Sequence, residues 1–560
     1  MNQPLVECVP NFSNGRDPEV IRAITSAIKS VDGAVLLDVD PGASTNRTVV
    51  TFVGSPEAIV EAAVRAGIAA AERIDMRQHH GEHPRFGAMD VCPFVPISGI
   101  TMDQAADLAR EAGRRLGEAG LTVYLYENAA SAPHRRNLAD VRAGEYEGLA
   151  DKLADPDWRP DFGPAKFNQR SGATAVGARE FLIAYNVNLN TTSPRRANAV
   201  AFDVRQRGRI ARIGDPLTGE IIRGDDGEPR WEPGMLESVK AIGWYIDEYR
   251  QAQVSMNLTD ISVTALHVAF DAVRERATAR GMRVTGSEIV GMVPLQAMLD
   301  AGRHYLTRQG RSLGIPDEAV VDIAVKSMGL DDLTPFVPAE RIIEWRIAQQ
   351  GGRLASRSVT EFTHETASES PAPGGGSVAA LAGALGAALG TMVANLSAHK
   401  RGWDDRWEEF SEWAVRGKDL HARLLRFVDA DTDAFGMLME AHRMPSGSGR
   451  EEAERAAAIQ AATRGAIDVP MAVMEAALEA MDVVAAMVDQ GLESSVSDAG
   501  VGALMIRAAV RGAHLNVQIN AVDLTDESER ATYLERAAGL EDTAAEHETA
   551  ILAKVRQRIM

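Results

Sequence analysis

The stretch Ser370-Pro371-Ala372-Pro373-Gly374-Gly375-Gly376-Ser377 separates two parts of the chain that have different hydrophobic periodicities. Before it, short apolar runs alternate with helical patterns, which is typical of sheets covered by helices. After it, residues 375–560 carry long helical patterns rich in Ala, Glu, Arg and Met and almost no β-rich alternation. We therefore predict a multidomain protein with an N-terminal α/β part, made of two subdomains with helix-covered sheets, and a C-terminal all-α helical bundle.

The same patterns predict four segments. Residues 1–180 form a first subdomain and residues 181–347 a second, which opens with the apolar run 181–189. Residues 348–373 are rich in Gly, Ser, Thr, Ala and Pro, and this composition favours a linker. Residues 374–560 form the helical domain.

Apolar runs and 3.6-residue periodicity predict the individual elements. Strands are expected over 5–9, 34–39, 48–53, 91–97, 122–126, 181–189 and 254–263. Helices are expected over 18–31, 56–74, 102–119, 137–154, 265–279, 294–309, 403–434, 450–478, 481–490 and 530–558. The run 213–234 is polar and turn-rich and is expected to be an exposed loop.

Composition limits the class of protein. The chain has 560 residues, of which 45% are apolar and 25% charged, as in an ordinary soluble globular protein. A net charge of −20 argues against general nucleic-acid binding. The only two cysteines, Cys8 and Cys92, favour a reducing compartment, and no basic segment followed by an apolar stretch opens the chain. We expect a cytoplasmic protein.

One segment has the length and composition of a membrane span. Residues 378–396 are nearly uncharged, and about 20 such residues suffice to cross a bilayer. Most of them are Ala and Gly, however, and the pair Gly386 and Gly390 suits close packing of helices in water-soluble bundles too. Charged residues follow at once from His399. We interpret the segment as a buried helix and expect no membrane association.

The segment Gln78-His79-His80-Gly81-Glu82-His83-Pro84-Arg85-Phe86-Gly87-Ala88-Met89-Asp90 is dense in chemically active side chains. Because imidazole titrates near neutrality, such a loop suits proton transfer. One alternative is a zinc site, since His79, Glu82 and His83 match the letters H-x-x-E-H. That motif needs a continuous helix, which Gly81 and Pro84 disfavour. A structural loop with hydrogen-bonded histidines is the other alternative.

Two features of the second half have both a functional and a structural interpretation. Asp429, Asp431 and Asp433 stand two apart on a predicted helix, so only some can line one pocket; acids in such a pattern are usually surface residues. Gly374–Ser377 reads as a glycine turn into a Ser N-cap, which exposes helix N–H groups to an anion. The alternative is a linker that ends in an ordinary cap.

Several motifs follow one another along the chain in a fixed order. In the first half they are 5–13, 37–40, 44–48, 81–85, 90–94, 142–147, 161–164, 172–174 and 177–179. These segments resemble the glutamate formimidoyltransferase family. In the second half they are 371–380, 428–431 and 516–520, and they resemble the formimidoyltetrahydrofolate cyclodeaminase family. The chain as a whole is similar to the bifunctional formimidoyltransferase-cyclodeaminase family.

The first resemblance implies transfer of a formimino group from N-formimino-L-glutamate to N5 of tetrahydrofolate, a step of histidine breakdown. It places the catalytic histidine on His83, with Glu82 or Arg85 orienting it or binding a carboxylate. It also implies a folate contact at Asp203 and a folate-binding loop composed of Gly163, Pro164, Ala165, Lys166, Phe167, Asn168, Gln169, Arg170, Ser171 and Gly172.

The substrates carry carboxylates, which arginine binds through its planar fork. Candidates are Arg47 and a local cluster of arginines. For each member of the cluster, an equal alternative is that it is an ordinary solvated surface residue. The cluster consists of Arg195, Arg196, Arg205, Arg207, Arg209 and Arg212.

The second resemblance implies ring closure of 5-formimino-tetrahydrofolate to 5,10-methenyl-tetrahydrofolate with release of ammonia. It places the catalytic acid on Asp431, whose pKa burial would have to raise. Tetrahydrofolate is then a co-substrate, and neither reaction calls for a metal, a nucleotide or a redox cofactor. A homo-oligomer is expected, and the role of polyglutamate tails is left open. The alternative is a monofunctional formimidoyltransferase whose helical domain serves only assembly.

Overall fold

The computed structural model describes residues 4–42, 46–80, 85–214, 218–247, 249–348 and 354–560. These residues divide into two compact units. The first unit holds Met1–Ala297 together with Met328–Gln349, and the second holds Met298–Ser327 together with Gln350–Met560.

A mixed seven-stranded sheet forms the first subdomain. Its strand order is β1-β4-β2-β5-β7-β6, with β3 paired to β4 at one side and β5, β7 and β6 running parallel. The strands are β1 (Leu5–Cys8), β2 (Asn11–Phe12), β3 (Ala34–Gly42), β4 (Arg47–Gly54), β5 (Met89–Ser98), β6 (Thr122–Glu127) and β7 (Ala173–Ala178). The helices are α1 (Pro18–Lys29), α2 (Pro56–Arg73), α3 (Met102–Glu118), α4 (Leu138–Val141) and α5 (Leu149–Ala154).

The two faces of this sheet are covered differently. Helices α1, α2 and α3 pack on one face, where Ile24, Ile59 and Leu116 join Val6 and Cys8 in the main core. Successive side chains of a strand point to opposite faces, so the residues between those core positions lie on the other face. There the short helices α4 and α5 cover the β5-β7-β6 side with a smaller apolar cluster.

Most predicted elements of this subdomain are confirmed, but one predicted helix is broken and strand β7 lies where the sequence predicts no strand. The helix expected over 137–154 is broken into α4 and α5 because Gly144 and Glu145 adopt positive φ angles of 85° and 53°, which a helix does not accommodate. Strand β7 was not predicted, since Ala, Gly and Thr give it a weak β signal. Its parallel pairing with β5 and β6 makes it a strand.

An antiparallel sheet of order β13-β14-β8-β15 forms the second subdomain. Helices α6 and α7 pack against it. The strands are β8 (Ile183–Leu189), β9 (Arg209–Ile210), β10 (Arg212–Ile213), β11 (Glu220–Ile221), β12 (Trp231–Glu232), β13 (Val239–Ile246), β14 (Gln251–Leu258) and β15 (Val284–Val290), and the helices are α6 (Pro194–Val204) and α7 (Leu266–Ala279). The strand expected over 254–263 begins and ends earlier, as β14. The segment expected to be a loop over 213–234 carries two short strand pairs, β10–β11 and β12–β9.

Four helices follow along the chain, and they divide between the two units. They are α8 (Leu295–Arg308), α9 (Asp317–Met328), α10 (Pro338–Arg341) and α11 (Ile343–Ala348). Most of α8 and all but the last residue of α9 belong to the helical unit, although the sequence places them in the second subdomain. The reason is local packing: Asn395 donates to the Gly314 carbonyl at 3.0 Å, and Ser411 Oγ accepts from the Leu313 N–H at 3.0 Å.

The rest of the helical unit is a bundle of long helices. It comprises α12 (Val359–Thr366), α13 (Gly375–Ala398), α14 (Trp407–Arg443), α15 (Gly449–Gln490), α16 (Val496–Ala521) and α17 (Glu527–Ile559). Helix α15 spans the two helices predicted over 450–490 and contains Pro470. The expected buried helix is α13: it has the length and hydropathy of a membrane span, but 61% of that window is buried within the protein.

The predicted linker is not a free spacer in the part that the structure describes. Residues Leu354–Ser356 form one 3₁₀ turn, and α12 begins with a capping box between Ser358 and Glu361. Phe362 and Leu354 enter the core of the helical unit. Burial of these two side chains therefore fixes a segment whose composition alone favours flexibility.

Candidate active sites

The histidine-rich loop comprises residues 78–90, and the structure describes all of it except residues 81–84. Glu82 and His83, the predicted orienting residue and catalytic base, lie outside the described residues. His79 Nε2 lies 2.7 Å from the Asn46 carbonyl oxygen, which requires that this nitrogen donates. Burial lowers the pKa of His79. His79 is therefore a structural histidine that ties the loop to the residue before β4.

Asp90 organises the far end of this loop. It is fully buried and forms ion pairs with Arg47 and with Arg142, the latter at 2.8 Å. Its other oxygen accepts the Phe86 N–H at 2.7 Å. Arg47 also donates through Nε to Asn11 Oδ1 at 2.9 Å. Residues from four of the motifs, 5–13, 44–48, 90–94 and 142–147, therefore meet at Asp90. Arg47 is predicted to bind a substrate carboxylate, but in the structure it binds Asp90.

Arg85 has a partner of its own on the neighbouring segment. It forms an ion pair with Glu147, and its guanidinium lies 5.8 Å from the centre of the Tyr146 ring. Its carbonyl accepts the Tyr146 N–H at 2.9 Å. The contacts of Arg85 in the described chain are therefore those of a local salt bridge.

The predicted folate loop, residues 163–172, lies beside these groups. Tyr146 donates its hydroxyl to the Gln169 carbonyl, and Phe167 packs on the Tyr146 ring with centroids 5.4 Å apart. At the end of the folate loop, Gly172 forms an antiparallel β-bridge with Gly87 of the histidine-rich loop. The structure therefore brings the folate loop and the histidine-rich loop together through Tyr146 and the two glycines.

Both terminal glycines of the folate loop are required by close approach of the backbone. Gly163 and Gly172 have φ angles of 80° and 65°, and a Cβ on them would lie 1.9 Å from the Leu121 oxygen and 2.4 Å from the Phe86 oxygen. Inside the loop Asn168 Oδ1 accepts from the Arg170 N–H at 3.0 Å. Pro164, Ala165, Lys166, Gln169 and Arg170 are exposed, Phe167 is half-buried and Ser171 is buried.

Asp203 lies near the end of α6 in the second subdomain. Arg280 donates to one carboxylate oxygen at 2.6 and 2.8 Å, and Arg209 pairs with the other. No hydrogen bond or ion pair among the described residues joins Asp203 to residues 163–172. Its carboxylate is therefore already occupied by two guanidinium groups.

The arginine cluster of the second subdomain separates into two groups. Four members have local partners: Arg209 pairs with Asp203, Arg205 and Arg212 donate to the carbonyls of Gly208 and Gly219, and Arg207 lies over the Trp231 ring. Arg195 and Arg196 are exposed and line a cleft of about 540 Å³ together with Arg280. Only this second group is positioned to meet an anionic ligand.

In the helical unit, Asp431 on α14 reaches the N-terminus of α13. One of its oxygens accepts the Ser377 N–H at 2.8 Å and lies 3.0 Å from Ser377 Oγ. Burial raises the pKa of Asp431, and these two hydrogen bonds partly oppose the increase. The result is a carboxyl group that Ser377 holds in place and whose pKa lies above its ordinary value.

Residues from three helices complete this site. A Cβ on Gly376 would lie 2.1 Å from Asp431 Oδ1, and one on Gly375 would lie 3.6 Å from the Asn516 amide nitrogen of α16. The predicted N-cap role of Ser377 is wrong: Gly374 is the N-cap, and Ser377 is the third residue of α13. The group that occupies this helix terminus is the carboxylate of Asp431, because the backbone N–H of Ser377 donates a hydrogen bond to it.

The neighbouring acids on α14 have other roles. Asp429 accepts the Leu354 N–H at 2.7 Å and so fixes the 3₁₀ turn before α12. Asp433 is exposed. Within the parts of the chain that the structure describes, no group of three or more His, Cys, Asp or Glu side chains is placed to hold a metal ion.

Comparison with known proteins covers both halves. Residues 5–179 match the family "Formiminotransferase domain, N-terminal subdomain", residues 184–348 the "Formiminotransferase domain", and residues 358–539 "Formiminotransferase-cyclodeaminase". The chain is 42% identical to formimidoyltransferase-cyclodeaminase from Sus scrofa over 99% of each chain.

Relatives of each half also exist as separate proteins. Glutamate formimidoyltransferase from Streptococcus pyogenes is 40% identical over 54% of this chain and 93% of its own length. Methenyltetrahydrofolate cyclohydrolase from Methylorubrum extorquens is 36% identical over 34% of this chain and 90% of its own length. The chain therefore belongs to the formimidoyltransferase-cyclodeaminase family.

Proposed function

We propose that the protein transfers the formimino group of N-formimino-L-glutamate to N5 of tetrahydrofolate and then closes the ring to 5,10-methenyl-tetrahydrofolate, releasing ammonia. Full-length similarity to formimidoyltransferase-cyclodeaminases supports both steps. The observation that carries the second step is the half-buried Asp431 carboxyl, held by Ser377 beside Gly376 and Asn516. The protein would act in histidine degradation.

The first step needs one group that both takes and gives a proton. N5 of tetrahydrofolate attacks the amidine carbon and loses a proton, and the glutamate nitrogen gains one as its bond to that carbon breaks. A single imidazole near neutrality serves both transfers. We assign this role to His83. The folate loop 163–172 would hold the co-substrate beside it, since the loop ends at Gly172 against Gly87.

The second step needs an acid. N10 attacks the amidine carbon, the bond to the terminal nitrogen breaks, and that nitrogen leaves as ammonia after gaining a proton. Asp431 suits this role because burial raises its pKa. Ser377 would fix the orientation of the carboxyl group. A relative of this half is named for a methenyltetrahydrofolate, which is the product proposed here.

A homo-oligomer is also proposed, on the basis of an apolar stripe on the helical unit. The stripe consists of Leu385 and Leu396 on α13 with Leu504, Leu515 and Ile519 on α16, all exposed. The two helices approach closely at Gly386 and Gly502. Exposed large apolar side chains on two neighbouring helices are typical of an association site, and a second copy presents the same surface.

Two further proposals concern the setting of the protein. A cytoplasmic location is supported by Cys8 and Cys92, which are free thiols with sulfur atoms 3.6 Å apart.

The alternative function is that of a formimidoyltransferase whose helical half serves only assembly, and the same apolar stripe supports it. The arrangement at Asp431 favours the bifunctional enzyme.

Incubation of the purified protein with both substrates tests the proposal. Glutamate release, methenyl-folate absorbance and ammonia would be followed together. We expect all three in the wild type and none in His83→Ala, with its thermal denaturation unchanged. Glutamate release without methenyl-folate would favour the monofunctional alternative, and an inactive wild type would refute both.

A further inference from the structure

Glu7 is a buried acid to which neither proposed reaction assigns a role. It lies on β1 between Val6 and Cys8, which face the helix-covered core. Because strand side chains alternate, Glu7 points to the opposite face of the sheet. It pairs with Val53 of β4 and Val95 of β5, so it stands among neighbouring strands, and only 4% of it is exposed.

Its carboxylate forms no hydrogen bond or ion pair with any residue that the structure describes. By contrast, three other acids of the first unit have arginine partners: Asp90 has Arg47 and Arg142, Asp161 has Arg135 and Asp203 has Arg280. A buried carboxyl without such a partner is costly in free energy. A group of this kind is a candidate for binding a ligand that supplies the missing donors.

The sheet places Glu7 beside the strands of the candidate site. Strand β1 pairs with β4, which begins at Arg47, and with β5, which contains Asp90. Burial raises the pKa of Glu7 to about 7; Arg179, at the end of β7, opposes this increase without forming an ion pair, and Glu344 adds to it. Glu7 therefore lies on the same sheet as the Arg47–Asp90 ion pair.

We propose that the Glu7 carboxylate binds a planar pair of N–H donors carried by one carbon atom of a substrate. A carboxylate binds such a pair with two parallel, charge-assisted hydrogen bonds. Each proposed substrate offers one pair: the protonated amidine of formiminoglutamate, and the ring N–H with the 2-amino group of the pterin. This inference rests on the proposed function. Asp203, for which the resemblance implies a folate contact, already uses both carboxylate oxygens in ion pairs with Arg280 and Arg209.

Isothermal calorimetry with each substrate alone, and steady-state kinetics with both, test this role in Glu7→Gln and Glu7→Asp. Glutamine keeps one acceptor and replaces the other by a donor. We expect the Kd and KM of one substrate to rise about 10- to 100-fold, with kcat changing less. Aspartate keeps both acceptors and should recover part of the loss. The substrate whose affinity falls identifies the source of the donor pair.

Glu180→Gln is the matched control, because Glu180 is half-buried in the same unit and no hydrogen bond of its carboxylate is seen in the described chain. Its affinities should equal those of the wild type. The role is refuted if Glu7→Gln, shown to be folded by thermal denaturation, binds both substrates within twofold of the wild type. If the wild type binds its substrates but is inactive, the proposed transfer is refuted. The role of Glu7 is then still decided by the calorimetric affinities. If the wild type binds neither substrate, both fail.

Discussion

At the scale of single residues, the partners of a buried carboxyl decide what it can do. Asp90 is fully buried but held by two arginines, which stabilise its charge. Asp431 is half-buried, its hydrogen-bond partners in the described part of the chain are the N–H and hydroxyl of Ser377, and burial raises its pKa. Glu7 has no direct partner among the described residues, and its pKa reaches about 7. The first is therefore structural, while the other two can exchange a proton or bind a ligand.

The raised pKa of Glu7 predicts a pH dependence of stability. A carboxyl whose pKa rises from 4.5 in the unfolded chain to about 7 on folding takes up a proton. Its ionisation therefore destabilises the fold as pH increases from about 5 to 8, by up to ~3 kcal/mol. Glu7→Gln should be more stable than the wild type at pH 8 and similar to it at pH 5. Urea denaturation at both pH values measures this, and an equal difference at the two would contradict it.

Asp431→Asn should separate the two proposed reactions. Asparagine can still accept a hydrogen bond from Ser377 but cannot deliver a proton to the leaving nitrogen. We expect methenyl-folate formation to fall by about 100-fold or more, in the range of lost general acid catalysis, with glutamate release unchanged. The control is Asp433→Asn, since Asp433 is exposed on the same helix. Equal loss in both variants would remove the catalytic role of Asp431.

At the scale of elements, α13 builds the second site because its first turn consists of residues without bulky side chains. Gly375 and Gly376 let Asn516 and Asp431 approach the helix terminus. Farther along, Gly386 approaches Gly502 of α16 and Gly390 contacts Val484 of α15. The composition that imitates a membrane span is therefore explained by close helix packing.

Gly376→Ala tests this use of the first turn. The new Cβ would lie 2.1 Å from Asp431 Oδ1, so the carboxylate has to move. We expect at least about a tenfold loss of ring closure, since small displacements of a catalytic group are costly, and no change in formimino transfer. Gly374→Ala is the matched control, because nothing lies within 4 Å of its Cβ position. Similar ring-closure rates in the two variants would contradict the steric argument.

At the scale of the whole molecule, the boundaries of the compact units differ from those of the family domains. Met298–Ser327 lies within the formiminotransferase match, yet it belongs to the helical unit. Lys418 of α14 forms an ion pair with Asp317 of α9 at 2.5 Å, and Asn395 and Ser411 bind the loop before it. A fragment that begins after residue 353 would therefore lose these polar contacts.

The apolar stripe on α13 and α16 predicts self-association. Ile519 is 69% exposed, and a charge within such an interface should disfavour assembly. We expect Ile519→Glu to form a smaller species than the wild type by light scattering, with its helical content unchanged. Ile213→Glu is the control, since Ile213 is an exposed isoleucine of the other unit. A wild type that is monomeric would refute the proposed homo-oligomer.

The sequence by itself determined the fold class of each half, most elements of the first subdomain and the family. These follow from periodicity and from motifs such as 163–172, which depend on residues close together in the chain. Only the tertiary structure decided that Arg47 serves Asp90, that Ser377 holds Asp431, that β7 is a strand and that Met298–Ser327 joins the helical unit. Each of these results depends on contacts between residues far apart in the chain, which no local pattern of residues encodes.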